Sequence, residues 1–242
     1  MKTREAVMGV VAVLTAAGCV RLGFWQLHRL DERRAKNSLI ATQTAESSAS
    51  VAEVRMQDTS QMHWRRLTFR GVPDYQRETV LSSRSQNGSV GVQVVTPVRP
   101  IGDSWPDTSV LVLRGWMTAP DGRAYTRAST QEGDTLDVDG LITEFPPAGK
   151  GAVRMPSAPI AFRWLDRDTL AKESGSAVAP FVLLQLGDTV QRDVTKIVRI
   201  PPPSLSEGSH MSYAVQWFTF AVVALGGYGA YLVSEREKTH GT

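Results

Sequence analysis

The chain has 242 residues, 42% of them apolar and 21% charged, and a formal net charge of +3. That length supports one ordinary core with little room for a second, and its Lys and Arg residues are scattered rather than gathered into a stripe with aromatics, which excludes nucleic acid as a partner. The single cysteine, Cys19, lies in an apolar segment, so neither an intramolecular disulfide nor a cysteine zinc site is available.

The first apolar segment, residues 6–27, is interrupted by Arg21. Its uncharged part, residues 6–20, suits the core of a cleavable signal peptide, and Ala16-Ala17-Gly18-Cys19 loosely resembles a lipoprotein cleavage box. Cleavage or lipidation at Cys19 is therefore the rival reading. Apolar character resumes as Leu22-Gly23-Phe24-Trp25-Gln26-Leu27, and an arginine near a helix end snorkels to the membrane interface. A retained transmembrane helix over residues 6–27 is the expectation, with His28 and Arg29 just beyond it. Residues 29–45 carry Leu30, Ala35, Leu39 and Ile40 among charges, which continues the helix as a stalk until the serine-rich stretch 47–50.

From Trp64 the pattern turns to strands, at 67–69, 79–81, 90–95 and 110–113, each bounded by Gly, Pro, Asn or Asp; Asn87-Gly88 predicts a tight hairpin. Further strands are expected at 135–143, 178–186 and 191–200, and one helix at 166–174 with Asp166 at its N-cap. The domain so outlined, residues 28–203 with the helical stalk, is mostly antiparallel β, closed or sandwich-like, with a short helix. Pro201-Pro202-Pro203 then stiffens the chain. Residues 211–233 are free of charge and long enough, at about 1.5 Å each, to cross a hydrocarbon core of ~30 Å. Tyr213 and Trp217 near one end, with Tyr228 and Tyr231 near the other, fit the two interfaces. Residues 234–242 form a tail.

Lys2 and Arg4 precede the first span, and Arg236 and Lys238 follow the second, which places both termini in the cytoplasm and the central domain outside. The reading is an α+β, multi-pass protein of the cell membrane. Gly9, Ala12 and Ala16 lie at the depth of Gly226, Gly227 and Ala230, which predicts an antiparallel contact between the spans through small residues.

Nucleophile elbows, phosphate loops, dinucleotide fingerprints, zinc helices and paired-cysteine motifs are all absent from the sequence, so an enzyme is not expected. Asp137-Val138-Asp139 and Asp166-Arg167-Asp168 read as ordinary strand and helix surfaces, and Met62-His63 as a surface pair. His28 and His210 flank the two spans on the same side of the membrane. Neutral imidazole ligates haem iron, and Arg21 or Arg29 is placed to pair with propionates; the alternative is that both histidines merely tolerate an interface.

His210-Met211-Ser212-Tyr213-Ala214-Val215-Gln216-Trp217-Phe218 resembles the C-terminal signature of the Surfeit locus protein 1 family. It is joined, in the family's order, by Gly23-Phe24-Trp25-Gln26-Leu27 with Arg29, by Gly91 through Thr96-Pro97, and by Val112-Leu113-Arg114-Gly115-Trp116. The resemblance implies an assembly factor, a chaperone rather than a catalyst, for haem–copper cytochrome c oxidase. It implies haem a as a transient cofactor, and as partners the oxidase catalytic subunit and the haem a synthesis machinery. It also implies His210 as the iron ligand. Trp217, seven residues on, then shares its helical face beside the macrocycle, with His28 and Arg29 as further binding residues. Residues 118–147 and 149–159 match no motif of the family. A permanent accessory subunit of the oxidase that binds no haem, or a lipoprotein-like binding module, is the alternative.

Overall fold

The computed structural model describes residues 3–102, 105, 107–122, 125, 127–145, 161–190, 192–193 and 195–240. The chain divides into two units, Met1–Ile40 with Leu205–Thr242, and Ala41–Ser204.

The first unit is built from α1 (Thr3–Ala45) and α4 (His210–His240). Both helices are long and apolar enough to cross a membrane, by length and composition. Large apolar side chains such as Val7, Val10, Leu14, Val222 and Val223 remain exposed around them, a distribution that suits an apolar surrounding rather than water. The helices run antiparallel in contact. Phe24 and Phe218 meet edge to face at 5.4 Å, Ala16 and Cys19 pack on Ala221, and the Tyr228 hydroxyl donates to the Glu5 carbonyl at 3.0 Å. The expected glycine face is only half right. A Cβ at Gly9 would meet the Tyr228 ring, whereas one at Gly226 or Gly227 would meet nothing within 4 Å. The α4 contact face instead follows a seven-residue stagger, Ala214, Ala221 and Tyr228, which keeps a helix seam in register.

In the second unit, Ser50 caps α2 (Val51–Met56) by a capping box with Glu53. The strands are β1 (Arg66–Pro73), β2 (Thr79–Gln86), β3 (Ser89–Pro100), β4 (Thr108–Thr118), β5 (Leu136–Thr143), β6 (Ala161–Phe162) and β7 (Ala177–Gln185), with α3 (Arg167–Ser174) between the last two. Asn87 and Gly88 both have positive φ, 50° and 79°, as a tight hairpin turn between β2 and β3 requires. Asp166 caps α3 by accepting from the Thr169 amide.

The sheet order is β1-β5-β7-β4-β3-β2-β6, and β1 also pairs with β3. The circuit β1-β5-β7-β4-β3 is thereby closed, with β2 and β6 as an extension. The length of β3 allows this, because its residues 89–95 pair with β2 while 98–100 turn to β1. Pairings are mostly antiparallel, as the sequence indicates, except that β4 with β7 and β2 with β6 are parallel. Alternation along β4 sends Val110 and Val112 to one core with Phe181 and Leu183, and Leu111 to a second core with Val182 under Leu170 of α3.

No strand forms at 191–200, of which residues 191 and 194 lie outside the described ones; the stretch keeps a single bridge, Val198 to Trp116. Asp188 and Asp193 each accept from an amide two residues on, at 2.9 Å, and these turns interrupt an extended run. Lys2 and residues 149–159 also lie outside the described set.

Candidate functional site

The first unit carries a cleft of about 450 Å³ near the start of α4, within the ~300–1,000 Å³ usual for small-ligand sites. Arg29, Arg33 and Lys36 line it at helical spacing i, i+4 and i+7, so one face of α1 presents all three, with Glu32 beside them. The opposite wall is Ser206, Glu207, Gly208 and His210.

That wall is tied down residue by residue. Asn37 Nδ2 donates to the Leu205 carbonyl at 2.6 Å, and Arg33 Nε to the Ser206 carbonyl at 3.0 Å. Arg34 holds Glu207 through one guanidinium edge, Nε and Nη2 donating to its two carboxylate oxygens at 2.8 and 3.0 Å. Its hydrogen bond keeps the Glu207 carboxyl below the usual carboxylate range. Gly208, with φ of 72°, turns the chain into α4.

His210 is half-buried, and its Nδ1 lies 2.9 Å from Gln26 Oε1. An amide oxygen only accepts, so Nδ1 carries a proton and donates, which in the neutral form of the ring leaves Nε2 with its lone pair. A carbonyl-type partner on one ring nitrogen is the usual way an imidazole is oriented as a metal ligand through the other. A Cβ at Gly208 would stand 3.8 Å from that Nε2, so glycine keeps the space beside it open. The donor set thus fits a haem: one imidazole oriented through Nδ1, and cationic side chains for the propionates. Arg29 is paired with Glu32, whereas Lys36 lines the cleft with no ion pair among the described residues.

The remaining sequence candidates take other places. His28 is exposed, with Nε2 3.2 Å from Glu32 Oε1, and does not line the cleft. Trp217 packs against Ala16, Cys19 and Ala221 and meets Phe220 edge to face at 5.8 Å. Sequence reasoning missed Gln26, Arg33, Lys36 and Gly208. The i, i+4, i+7 basic spacing and a lone glutamine inside an apolar run are the signals that point to them.

The terminal motifs prove to be contact partners, since Gly23, Phe24 and Gln26 meet Phe218 and His210. The motifs of the strand unit converge likewise. Gly91 leaves room for Trp116, and a Cβ there would stand 2.5 Å from the indole; Thr96 and Arg114 both reach Glu78. A larger concavity of about 630 Å³ in that unit is lined by Asp74, Arg77, Arg99 and Asp107. It contains no imidazole or thiol, and Arg77 is occupied by Asp74; the His210 cleft has the better chemistry for a ligand.

Comparison with known proteins bears on both motif sets. The sequence matches the model of the SURF1 family over residues 13–222. The chain belongs to the SURF1 family. That family is known for assembly factors of cytochrome oxidase. A SURF1-like protein of Rickettsia bellii is 26% identical over 96% of this chain and 91% of its own length. SURF1-like proteins of Rickettsia felis and Rickettsia conorii are each 25% identical, over 92% and 96% of this chain and 95% and 91% of theirs. The SURF1 match reaches from α1 into α4 and therefore takes in both Gln26 and His210.

Proposed function

We propose that this chain is a membrane-anchored, non-catalytic assembly factor for haem–copper cytochrome c oxidase, and that it holds haem a at the His210 cleft on its way to the catalytic subunit. In this reading α1 and α4 span the cell membrane, both termini are cytoplasmic, and the strand unit is extracytoplasmic. Arg4, Arg236 and Lys238 at the termini support that orientation.

The observation that carries the proposal is the orientation of His210 by Gln26, which fixes the tautomer and frees Nε2. Nε2 of His210 would hold the iron, and Arg29, Arg33 and Lys36 the propionates. When bound, the group would supply an iron centre that an imidazole can ligate. The chain's own residues bind and orient it, and nothing in the proposal requires them to transfer protons or form covalent bonds. Self-pairing of Arg29 with Glu32 and of Arg34 with Glu207 supports the second reading, an accessory subunit acting by contact alone.

Deletion of the gene is the test. Membranes are expected to lose haem a and oxidase activity while enzymes that use haem b keep theirs. An equal loss of both overturns the assembly role, and stoichiometric retention of the chain in mature oxidase favours the accessory subunit.

A further inference from the structure

The strand unit contains two arginines that lie close together with no acidic counterpart among the described residues. β6 pairs parallel with β2, Val80 opposite Ala161 and Leu81 opposite Phe162; Arg163 follows that pairing directly, and Arg84 lies three residues past Leu81, across a register shift in β2. Arg84 Nη2 donates to the Arg163 carbonyl at 2.9 Å. Its guanidinium stands over the Trp164 ring, 5.2 Å from the centroid, and the Trp116 indole N–H donates to the Arg84 carbonyl at 3.3 Å. The arrangement is held from three sides, yet Arg84 Nε is buried with no hydrogen-bond partner.

Neither arginine forms an ion pair with a carboxylate among the described residues. The sequence offers none locally, since no Asp or Glu falls between Glu78 and Asp103 or between Glu144 and Asp166. Burial, and then the charge of Arg163, push the Arg84 guanidinium below its usual value. Like charges placed together without compensation disfavour the folded state, and an anion supplied from outside removes that cost. Beside them Trp164 is 40% exposed, an unusual exposure for a large aromatic ring.

We propose that Arg84, Arg163 and Trp164 form a docking surface for an acidic segment of a partner protein. A planar guanidinium takes a carboxylate through two parallel hydrogen bonds, and Trp and Arg are the residues that most often dominate protein interfaces. β6 is the last strand in the sheet order among the described residues, which places the surface at one end of the sheet. This inference is independent of haem binding at His210.

The test titrates the full chain, in neutral detergent at low salt, with a fluorescein-labelled hexaglutamate peptide read by anisotropy. Saturable binding is expected, weakened by about tenfold in Arg163→Gln and in Arg84→Gln, as loss of a charge-assisted pair requires. Arg99→Gln, which removes an exposed arginine elsewhere in the unit, is expected to leave the affinity unchanged. Arg163 is exposed, so its replacement should melt with the parent and exclude misfolding as the cause. Equal affinity in Arg163→Gln and parent, an equal loss in Arg99→Gln, or no binding at all overturns the proposal. Displacement by inorganic phosphate as effective per anion as the peptide overturns it in favour of a small-oxyanion site.

Discussion

Arg114 Nη1 and Glu78 Oε2 are 3.0 Å apart, and both side chains are completely buried. Thr96 and Thr130 each donate a hydroxyl to the same carboxylate at 2.5 Å, while the Arg114 guanidinium covers the Tyr75 ring at 5.4 Å and reaches Glu132 at 3.2 Å. Removing one member of such a pair costs up to ~3–5 kcal/mol, an upper bound here because Glu132 still faces Arg114. Glu78→Gln should therefore lower the stability of the strand unit by up to that much, read as a shift in denaturant midpoint. Glu78→Gln combined with Arg114→Met should cost less than the sum of the single changes. Strict additivity would show that the pair is not coupled.

Glu132 gives a pH dependence. Burial alone would raise its carboxyl, but the hydrogen bond from Arg199 and the charges of Arg114 and Arg199 outweigh burial and hold it below its ordinary value of 4.5. A carboxyl depressed in the folded state stabilises it above the unfolded value and loses that contribution as pH falls through the folded one. Melting temperatures of parent and Glu132→Gln should thus differ at pH 7 and converge as pH falls below the unfolded value and through the depressed folded one. A constant gap down to pH 3 would remove Glu132 from the linkage.

Gly115 has φ of 152°, and a Cβ there would stand 2.2 Å from the Val198 carbonyl oxygen. That carbonyl accepts from the Trp116 amide at 2.8 Å, and the Val198 amide donates back to Trp116, so the clash falls on the one bridge that fastens residue 198 to β4. Gly115→Ala should cost about 1–3 kcal/mol through strain and the lost bridge, and Gly115→Val more. Ligand binding at α4 should be unchanged. Protease resistance equal to the parent in the valine variant would contradict the contact.

How much of this was legible in the sequence varies with the range of the interaction involved. Short apolar runs predict β4 and β7, a local Asn-Gly pair predicts the β2–β3 turn, and Asp166 predicts the start of α3, because each rests on neighbours in the chain. Glu78 was invisible: a lone glutamate before a strand reads as surface, and its burial depends on Arg114 and Thr130 arriving from elsewhere. The parallel β2–β6 pairing depends on register between distant segments, which no local pattern encodes. At the cleft, His210 and Arg29 stand out by their place beside an apolar run. Gln26 does not, since its role appears only when α4 brings an imidazole to it. Gly226 and Gly227 looked like the contact face because they are small, but the helix phase set by Ala214, Ala221 and Tyr228 turns them away.

The decisive prediction concerns Gln26 and His210 together. If Nε2 of His210 binds iron, His210→Ala should abolish co-purified haem a, or move its Soret band, while the protein still inserts and melts as the parent does. Gln26→Leu keeps the imidazole but deletes the acceptor at 2.9 Å, so both tautomers and several ring orientations become available. Loss of such an outer partner typically weakens metal binding ~10–100-fold; the variant should bind haem weakly, with the ligand unchanged in the spectrum. Gln26→Glu should retain binding, because a carboxylate accepts the same proton. Trp217→Ala should act mildly, through loosened packing against Ala16 and Ala221. His28 separates one ligand from two: it is exposed beside Glu32, so a single-ligand site leaves His28→Ala with the parent spectrum, whereas loss of a second ligand would convert the spectrum toward high spin. Haem content unaltered in His210→Ala would defeat the ligand assignment and leave the contact-only accessory subunit as the better account.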